Sequence, residues 1–276
     1  MQRLLNLILL VRPHNVAAAV LSVAIGHYIA SRGTAPWVLL AGVASATAGG
    51  NVINDIHDRD IDRINKPWRP IPSGSLAPRA GWALYAGFVA LTILVIVRLP
   101  ALQGLWIASW VLLLHLYSAR LKRNFLSGNL LVSLVSASGF MLGAAAGGTA
   151  SAGAIPACFT FFFSLGREFV KDIDDIEGDK ACGARTVPIV SGEPRARRVS
   201  ALLFVLLALC FPLPWIAGLY GALYALVMIC TVVPILLVSA WFAWRGRSLG
   251  RVSGLLKLGM FCGMLAFYFG PSGTGW

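Results

Sequence analysis

Two short stretches hold almost all of the negative charge in this chain. The first reads Asn54-Asp55-Ile56-His57-Asp58-Arg59-Asp60-Ile61-Asp62. The second, Lys171-Asp172-Ile173-Asp174-Asp175-Ile176-Glu177-Gly178-Asp179, repeats it 117 positions on, in register for Asp55/Asp172, Asp58/Asp175 and Asp62/Asp179. Of the 11 acidic residues, only Glu168 and Glu193 lie outside the pair. On a helix Asn54, Asp58 and Asp62 share one face. So do Asp55, Asp58 and Asp62 and, in the second copy, Asp172, Asp175 and Asp179. Carboxylates on one face repel each other unless a cation intervenes. An all-oxygen donor set suits Mg2+, a hard ion that commonly shares carboxylates with substrate phosphates and water. His57 would suggest a softer metal, but no second histidine has ligand spacing. Acidic residues that only balanced the nearby basic loops would have no reason to recur in register.

Cations are interleaved with these acids. Arg59, Arg63, Lys66 and Arg69 mix with or follow the first stretch; Arg167, Lys171, Lys180 and Arg185 surround the second; Lys122 and Arg123 follow Tyr117 in a third polar segment. A bare cation site would not want guanidinium groups. A metal–diphosphate complex wants both, carboxylates for the metal and Arg or Lys for the free phosphate oxygens. Placed at the mouth of an apolar body, such a site fits a lipid with a diphosphate head. If the lipid is isoprenoid, its bond to the head is allylic and can ionise. Mg2+ and the cations would stabilise charge growing on the departing diphosphate. Aromatic faces would shield the allylic cation, with Tyr117, Trp110 and Phe161 to Phe163 as candidates beside their ordinary packing role.

The elements that carry these residues follow from composition. The chain is 276 residues long, 58% hydrophobic and 12% charged, with mean hydropathy +0.76; a soluble domain is about 25% charged. Its main solvent is therefore lipid. Apolar runs of spanning length fall at 16–31, 36–53, 81–97, 101–117, 130–147, 155–170, 200–218, 220–241 and 255–269. Residues 2–10 read as a short interfacial helix ahead of an uncleaved first span. With a cytoplasmic N-terminus, 21 of the 23 Lys and Arg fall on the inner side and only Arg32 and Arg98 on the outer. That asymmetry is what the positive-inside rule demands. It puts both acidic stretches at the cytoplasmic boundary and the C-terminus outside. The net charge of +12 then reports topology and attraction to anionic lipid; no basic soluble domain exists to hold nucleic acid.

The predicted fold is thus an all-α, multi-pass cell-membrane protein of nine transmembrane helices around a central cavity. It forms one domain over 1–276. Because the acidic stretches follow the second and sixth spans, two four-helix repeats (12–128 and 129–241) plus a last helix at 255–269 account for the offset. Gly139, Gly143 and Gly147, four apart in the fifth span, let a neighbouring helix approach closely or leave a smooth wall for an apolar ligand. The five cysteines are scattered singly, without zinc or redox spacing.

At these residues the chain resembles the UbiA family of intramembrane prenyltransferases. The NDxxDxxxD signature appears as Asn54-Asp55…Asp58…Asp62 and runs on into Arg63-Ile64-Asn65-Lys66-Pro67-Trp68-Arg69-Pro70-Ile71-Pro72-Ser73-Gly74. DxxDxxxD appears as Asp172…Asp175…Asp179, and a loop element as Tyr117-Ser118 and Leu121-Lys122. The resemblance implies transfer of a polyprenyl chain from its diphosphate to a lipophilic acceptor. It implies Mg2+ on Asn54, Asp58, Asp62, Asp175 and Asp179 with Asp55 and Asp172 ligating or supporting, the four aspartates Asp58, Asp62, Asp175 and Asp179 being catalytic. Phosphate contacts fall to Arg63, Lys66, Arg69, Lys122 and Arg123, with Tyr117, and acceptor contacts to Arg12 and Asn15. The Asn-Lys-Pro-x-Arg-Pro-Ile-Pro-Ser-Gly run is most similar to the archaeal branch. That branch adds a geranylgeranyl chain to geranylgeranylglyceryl phosphate in ether-lipid synthesis. Chlorophyll synthases carry a similar run, so aromatic, quinone-precursor and chlorophyllide acceptors stay open.

Two rival classes fit less well. A divalent-cation transporter would place acids near the bilayer midplane, and the predicted spans hold none there. A CDP-alcohol phosphotransferase also uses Asp-rich Mg2+ sites, but its DGxxAR run is missing.

Overall fold

The computed structural model describes residues 2–246 and 249–270. The described chain is helical. Its elements are α1 (Gln2–Val11), α2 (Pro13–Ser31), α3 (Trp37–His57), α4 (Arg59–Asn65), α5 (Pro78–Ile96), α6 (Ala101–Ala119), α7 (Ser127–Ala146), α8 (Ala154–Asp174), α9 (Ile176–Ala181), α10 (Val187–Ser191), α11 (Glu193–Cys210), α12 (Leu213–Ile216), α13 (Ala222–Val227), α14 (Val233–Arg245) and α15 (Leu249–Phe269). Each apolar run read from the sequence coincides with a helix or a broken pair of helices. Six helical segments have the length and hydropathy to cross a membrane: Pro78–Ile96, Ala101–Ala119, Ser127–Ala146, Glu193–Ile216, Ala222–Arg245 and Gly250–Phe269. α1 and α2 together pass the same test but are bent by 42°. The two helices that lead into the acidic stretches, α3 and α8, fall short, because their last turns carry Asn54, Asp55 and His57 or Arg167, Glu168, Lys171 and Asp172.

The chain divides into two compact units. One comprises Met1–Leu21, Ala35–Leu131 and Glu177–Thr186; the other comprises Ser22–Thr34, Val132–Ile176 and Val187–Trp276. In the first unit α3 is the hub, packed on α1, α5 and α6. Its middle is a run of small residues, Ala44-Ser45-Ala46-Thr47-Ala48-Gly49-Gly50. A Cβ on Gly50 would lie 2.5 Å from Leu114 Cδ1 of α6 and one on Gly49 3.3 Å from Phe88 Cβ of α5. Small residues let helices close where lipid offers no hydrophobic drive. Thr92 Oγ1 donates to Ser45 Oγ at 2.9 Å across the α3–α5 contact. α1 is fixed at its end by Leu10, fully buried beside Val52 and Ile71.

In the second unit α8, α11, α14 and α15 pack on one another. The glycine stripe of α7 is a packing face against the second half of α2. A Cβ on Gly143 would collide with the Val23 carbonyl oxygen and stand 2.8 Å from the His27 nitrogen. Pro234 has no N–H to return to the helix, and the backbone answers with a π turn at Met228–Val232 between α13 and α14. That turn presents Val232 to an apolar cavity shared with Phe140, Phe159, Phe163, Gly263 and Phe267. The five cysteines are free thiols.

Candidate active site

α3 ends in the first acidic stretch and α4 continues it. The carboxylates expected on one face are there and buried: Asp55, Asp58 and Asp62 are 2–3% exposed, and Asn54 is 8% exposed. Burying three anions is costly unless each is paired. Each one is. Arg12 pairs with Asp55. Arg69 Nη1 lies 2.5 Å from Asp62 Oδ2 and 3.4 Å from Asp55 Oδ1. Lys122 pairs with Asp58, which also accepts from Asn54 Nδ2 at 2.7 Å. Three carboxylates thus meet three side-chain cations drawn from three parts of the sequence. Burial pushes the Asp62 carboxyl above the usual carboxylate range, and the Arg69 guanidinium pulls against that rise.

The remaining residues expected at this site divide. Arg123 is exposed and donates through Nη2 to the His57 carbonyl at 3.2 Å. Arg63 is turned outward, its guanidinium 3.0 Å from exposed Asp60. Lys66 is half-buried, close enough to Asp62 to act on its charge. Tyr117 and Trp110 are buried in α6. Asn15 donates to Asn51 Oδ1 at 3.2 Å, and Asn51 Nδ2 in turn donates to the Val11 carbonyl at 2.8 Å. Arg12 sits at the break between α1 and α2 with φ of 53°, in the left-handed region that a non-glycine residue seldom occupies. Asn51, one turn before Asp55, was not among the expected residues. Its signal was present: a lone amide inside an apolar run.

The second acidic stretch is shared between the units. Asp179, 5% exposed, belongs to the first unit with the whole of the first stretch. Its neighbour Gly178 donates its N–H to Asn65 Oδ1 of α4 at 3.0 Å, and Arg185 N–H donates to the Arg123 carbonyl at 2.7 Å. In the second unit Asp175 is 8% exposed at the end of α8, and Asp172 is half-buried one turn earlier. A further buried acid, Glu168, lies one turn before Asp172; it receives Lys171 Nζ at 2.9 Å and Arg167 Nη1 at 3.2 Å. α8 also carries Phe159 and Phe163 of the cavity. At 1.5 Å per residue, about 14 Å of helix separates Phe163 from Asp172. Phe162, by contrast, is largely exposed.

Among the described residues no three His, Cys, Asp or Glu groups close on one point as a protein-only metal cage would. The donors that are gathered are hard oxygens spread along a helix face. That suits an ion such as Mg2+, which takes one or two carboxylates and completes its shell with phosphate and water. The residues fit Mg2+ carried with a phosphate ligand.

A family model described as the UbiA prenyltransferase family matches residues 19–268. The digeranylgeranylglyceryl phosphate synthase of Methanopyrus kandleri is 37% identical over 260 residues, covering 94% of this chain and 96% of that protein. A solved structure described as giving "structural and mechanistic insights into the biosynthesis of Digeranylgeranylglyceryl phosphate synthase in membranes" is similar at TM-score 0.71 and 29% identity, covering 97% of this chain and 98% of that one. A UbiA homologue from Archaeoglobus fulgidus bound to GPP and Mg2+ shares the fold, with TM-score 0.65 at 18% identity over 95% of this chain and 99% of that one. The match over nearly the whole length, carried by a multi-pass helical membrane fold, means that this chain belongs to the UbiA prenyltransferase family.

Proposed function

We propose that this enzyme transfers a geranylgeranyl group from geranylgeranyl diphosphate to geranylgeranylglyceryl phosphate, at the cytoplasmic boundary of the cell membrane. One observation carries the reading: the charge-matched cluster of Asp55, Asp58 and Asp62 with Arg12, Arg69 and Lys122. A metal–diphosphate complex offers both halves of that cluster a new partner. The carboxylates, with Asn54, would hold the metal; Arg69 and Lys122 would hold the phosphate oxygens, joined by Lys66, Arg63 and Arg123 from the rim. Asp172, Asp175 and Asp179 would supply further oxygens, as the family resemblance implies. Bound Mg2+ supplies Lewis-acid stabilisation of the departing diphosphate. The residues do the rest. Arg69 and Lys122 hold the leaving group and stabilise the charge it gains. Tyr117 offers a face to the allylic cation. Phe159 and Phe163, farther along α8 from Asp172, offer an apolar wall to a prenyl chain. The bond from C1 to diphosphate oxygen breaks with its electron pair going to diphosphate, the acceptor hydroxyl oxygen then forms the ether bond to the allylic C1, and its proton passes to the released diphosphate.

The acceptor reading is supported by the name of the Methanopyrus kandleri relative and by chemistry. Arg12 and Asn15 stand at the mouth of α2, and a guanidinium there suits an anionic phosphate acceptor. The arrangement we adopt has nine spans in two four-helix repeats plus one, with the N-terminus inside and the C-terminus outside. It is supported by the distribution of Lys and Arg.

The test is turnover by pure protein. Radiolabelled geranylgeranyl diphosphate, Mg2+ and a panel of acceptors are supplied, and products are read by mass spectrometry. Prenylated geranylgeranylglyceryl phosphate is expected, with Asp58→Ala and Asp175→Ala each losing at least about a hundredfold, as about 3 kcal/mol of leaving-group stabilisation implies. Near-full transfer by either variant would overturn the site assignment. Prenylation of an aromatic, quinone-precursor or chlorophyllide acceptor instead would overturn the acceptor.

A further inference from the structure

We infer that Asn65 and Gly178 form a joint that holds Asp179 in register with Asp62, and that the joint governs how readily the site takes Mg2+ with diphosphate. The inference rests on the reading of the site given above. Asn65 closes α4, three residues after Asp62. Gly178 is the third residue of α9 and precedes Asp179. The first amides of a helix have no acceptor within it. Here the acceptor comes from 113 residues away: Asn65 Oδ1 receives the Gly178 N–H at 3.0 Å. The fit leaves no room for a side chain. A Cβ on Gly178 would lie 2.5, 2.7 and 2.8 Å from Asn65 Nδ2, Cγ and Oδ1. An amide on one helix and a bare backbone on the other are therefore required together.

The same segment has a second tie. Ala184 N–H donates to the Asp179 carbonyl at 2.9 Å, and Arg185 N–H to the Arg123 carbonyl at 2.7 Å. Arg123 adjoins Lys122, the partner of Asp58. The stretch bearing Asp179 is thus fastened at one end to the helix of Asp62 and at the other to the turn of Lys122. Asn65 is a positioning residue in this scheme. It touches neither metal nor diphosphate, and it acts through Asp179.

The experiment uses the full chain in detergent and three readouts. These are the Mg2+ concentration for half-maximal turnover, the KM values for donor and acceptor, and the rise in melting temperature given by Mg2+ with inorganic pyrophosphate over EDTA. Asn65→Ala is expected to raise the Mg2+ midpoint and the donor KM about tenfold, leave the acceptor KM within about twofold, and lose most of the pyrophosphate-induced rise. Asn65→Asp keeps an acceptor oxygen and is expected to restore the Mg2+ midpoint to within about twofold of the parent. Gly178→Ala should match Asn65→Ala. The double variant should be no worse than the weaker single, because removing the amide vacates the space that the new methyl needs. An unchanged Mg2+ midpoint and pyrophosphate response in Asn65→Ala, or losses that multiply in the double variant, would overturn the joint. If Asn65→Ala fails to fold, Gly178→Ala and Asn65→Asp decide by the same readouts. A parent protein that is stabilised by Mg2+–pyrophosphate but transfers no prenyl group would overturn the proposed function and leave the joint standing.

Discussion

Arg69→Met isolates the charge matching in the first acidic stretch. Arg69 is the hub of that cluster, bridging Asp62 and Asp55 with a side chain 20% exposed against carboxylates that are 3–4% exposed. Methionine keeps the apolar stem and removes the charge. Breaking a buried ion pair from one side costs about 3–5 kcal/mol, because the other charge stays buried. Asp55 keeps Arg12, so the lower end applies, about 3 kcal/mol. At about 2–4 °C per kcal/mol the variant should melt about 6–12 °C below the parent in EDTA. Mg2+ should then stabilise it more than it stabilises the parent, since a competing cation has gone. Ion at a hundredfold over its dissociation constant returns about 2.7 kcal/mol, nearly the whole loss. Pyrophosphate should behave oppositely and bind the variant more weakly, because a phosphate contact has gone. The assay is thermal unfolding in detergent with EDTA, Mg2+, and Mg2+ plus pyrophosphate, with calorimetry of pyrophosphate binding. A variant that melts with the parent in EDTA, or that gains no more from Mg2+ than the parent does, would refute the idea that side-chain cations and metal compete for these carboxylates.

Three further outcomes follow from other parts of the structure. Gly143→Leu should cost about 3 kcal/mol or prevent folding, since overpacking against backbone has no relief; yield of monodisperse protein and melting temperature check it. Gly263→Leu narrows the cavity bounded by Val232 and Phe267 and should move the ratio of kcat/KM for a ten-carbon over a twenty-carbon prenyl diphosphate upward about tenfold, about the worth of one or two buried methylenes. Arg12→Leu should raise the KM for an anionic acceptor by about tenfold to a hundredfold, the range of one hydrogen bond to a charged group, and more than it raises the donor KM.

In the candidate site, the part legible in the sequence is the part that is local. The face shared by Asp55, Asp58 and Asp62 needs only helical spacing, and the glycine stripe needs only its period of four. The partners of those residues were legible as types but not as pairs. Lys122 and Arg69 were expected near phosphate, and their ion pairs with Asp58 and Asp62 depend on how loops return to α3 and α4. Arg63, expected beside them, lies on the exposed side of α4 and meets Asp60, its own neighbour at three residues. The left-handed turn at Arg12, the amide chain from Asn15 through Asn51 to Val11, and the contact of Asn65 with Gly178 arise only from tertiary approach, so no local pattern announces them. Pro234 marked a disturbance in its helix, but whether backbone kinks or widens there depends on what packs around it.

The composition of α3 bears on how the chain enters the membrane. α3 is 21 residues long yet less apolar than the spans beside it, and it ends in buried carboxylates. In the nine-span arrangement, a helix of this kind is a poor client for lateral release into lipid on its own. Its small-residue flank is made for α5 and α6, which emerge from the ribosome only after it. The insertion machinery would have to retain α3, or let it slip back, until Ala119 has been made, so nascent chains cut short of α6 should be extractable from membranes where slightly longer ones are not.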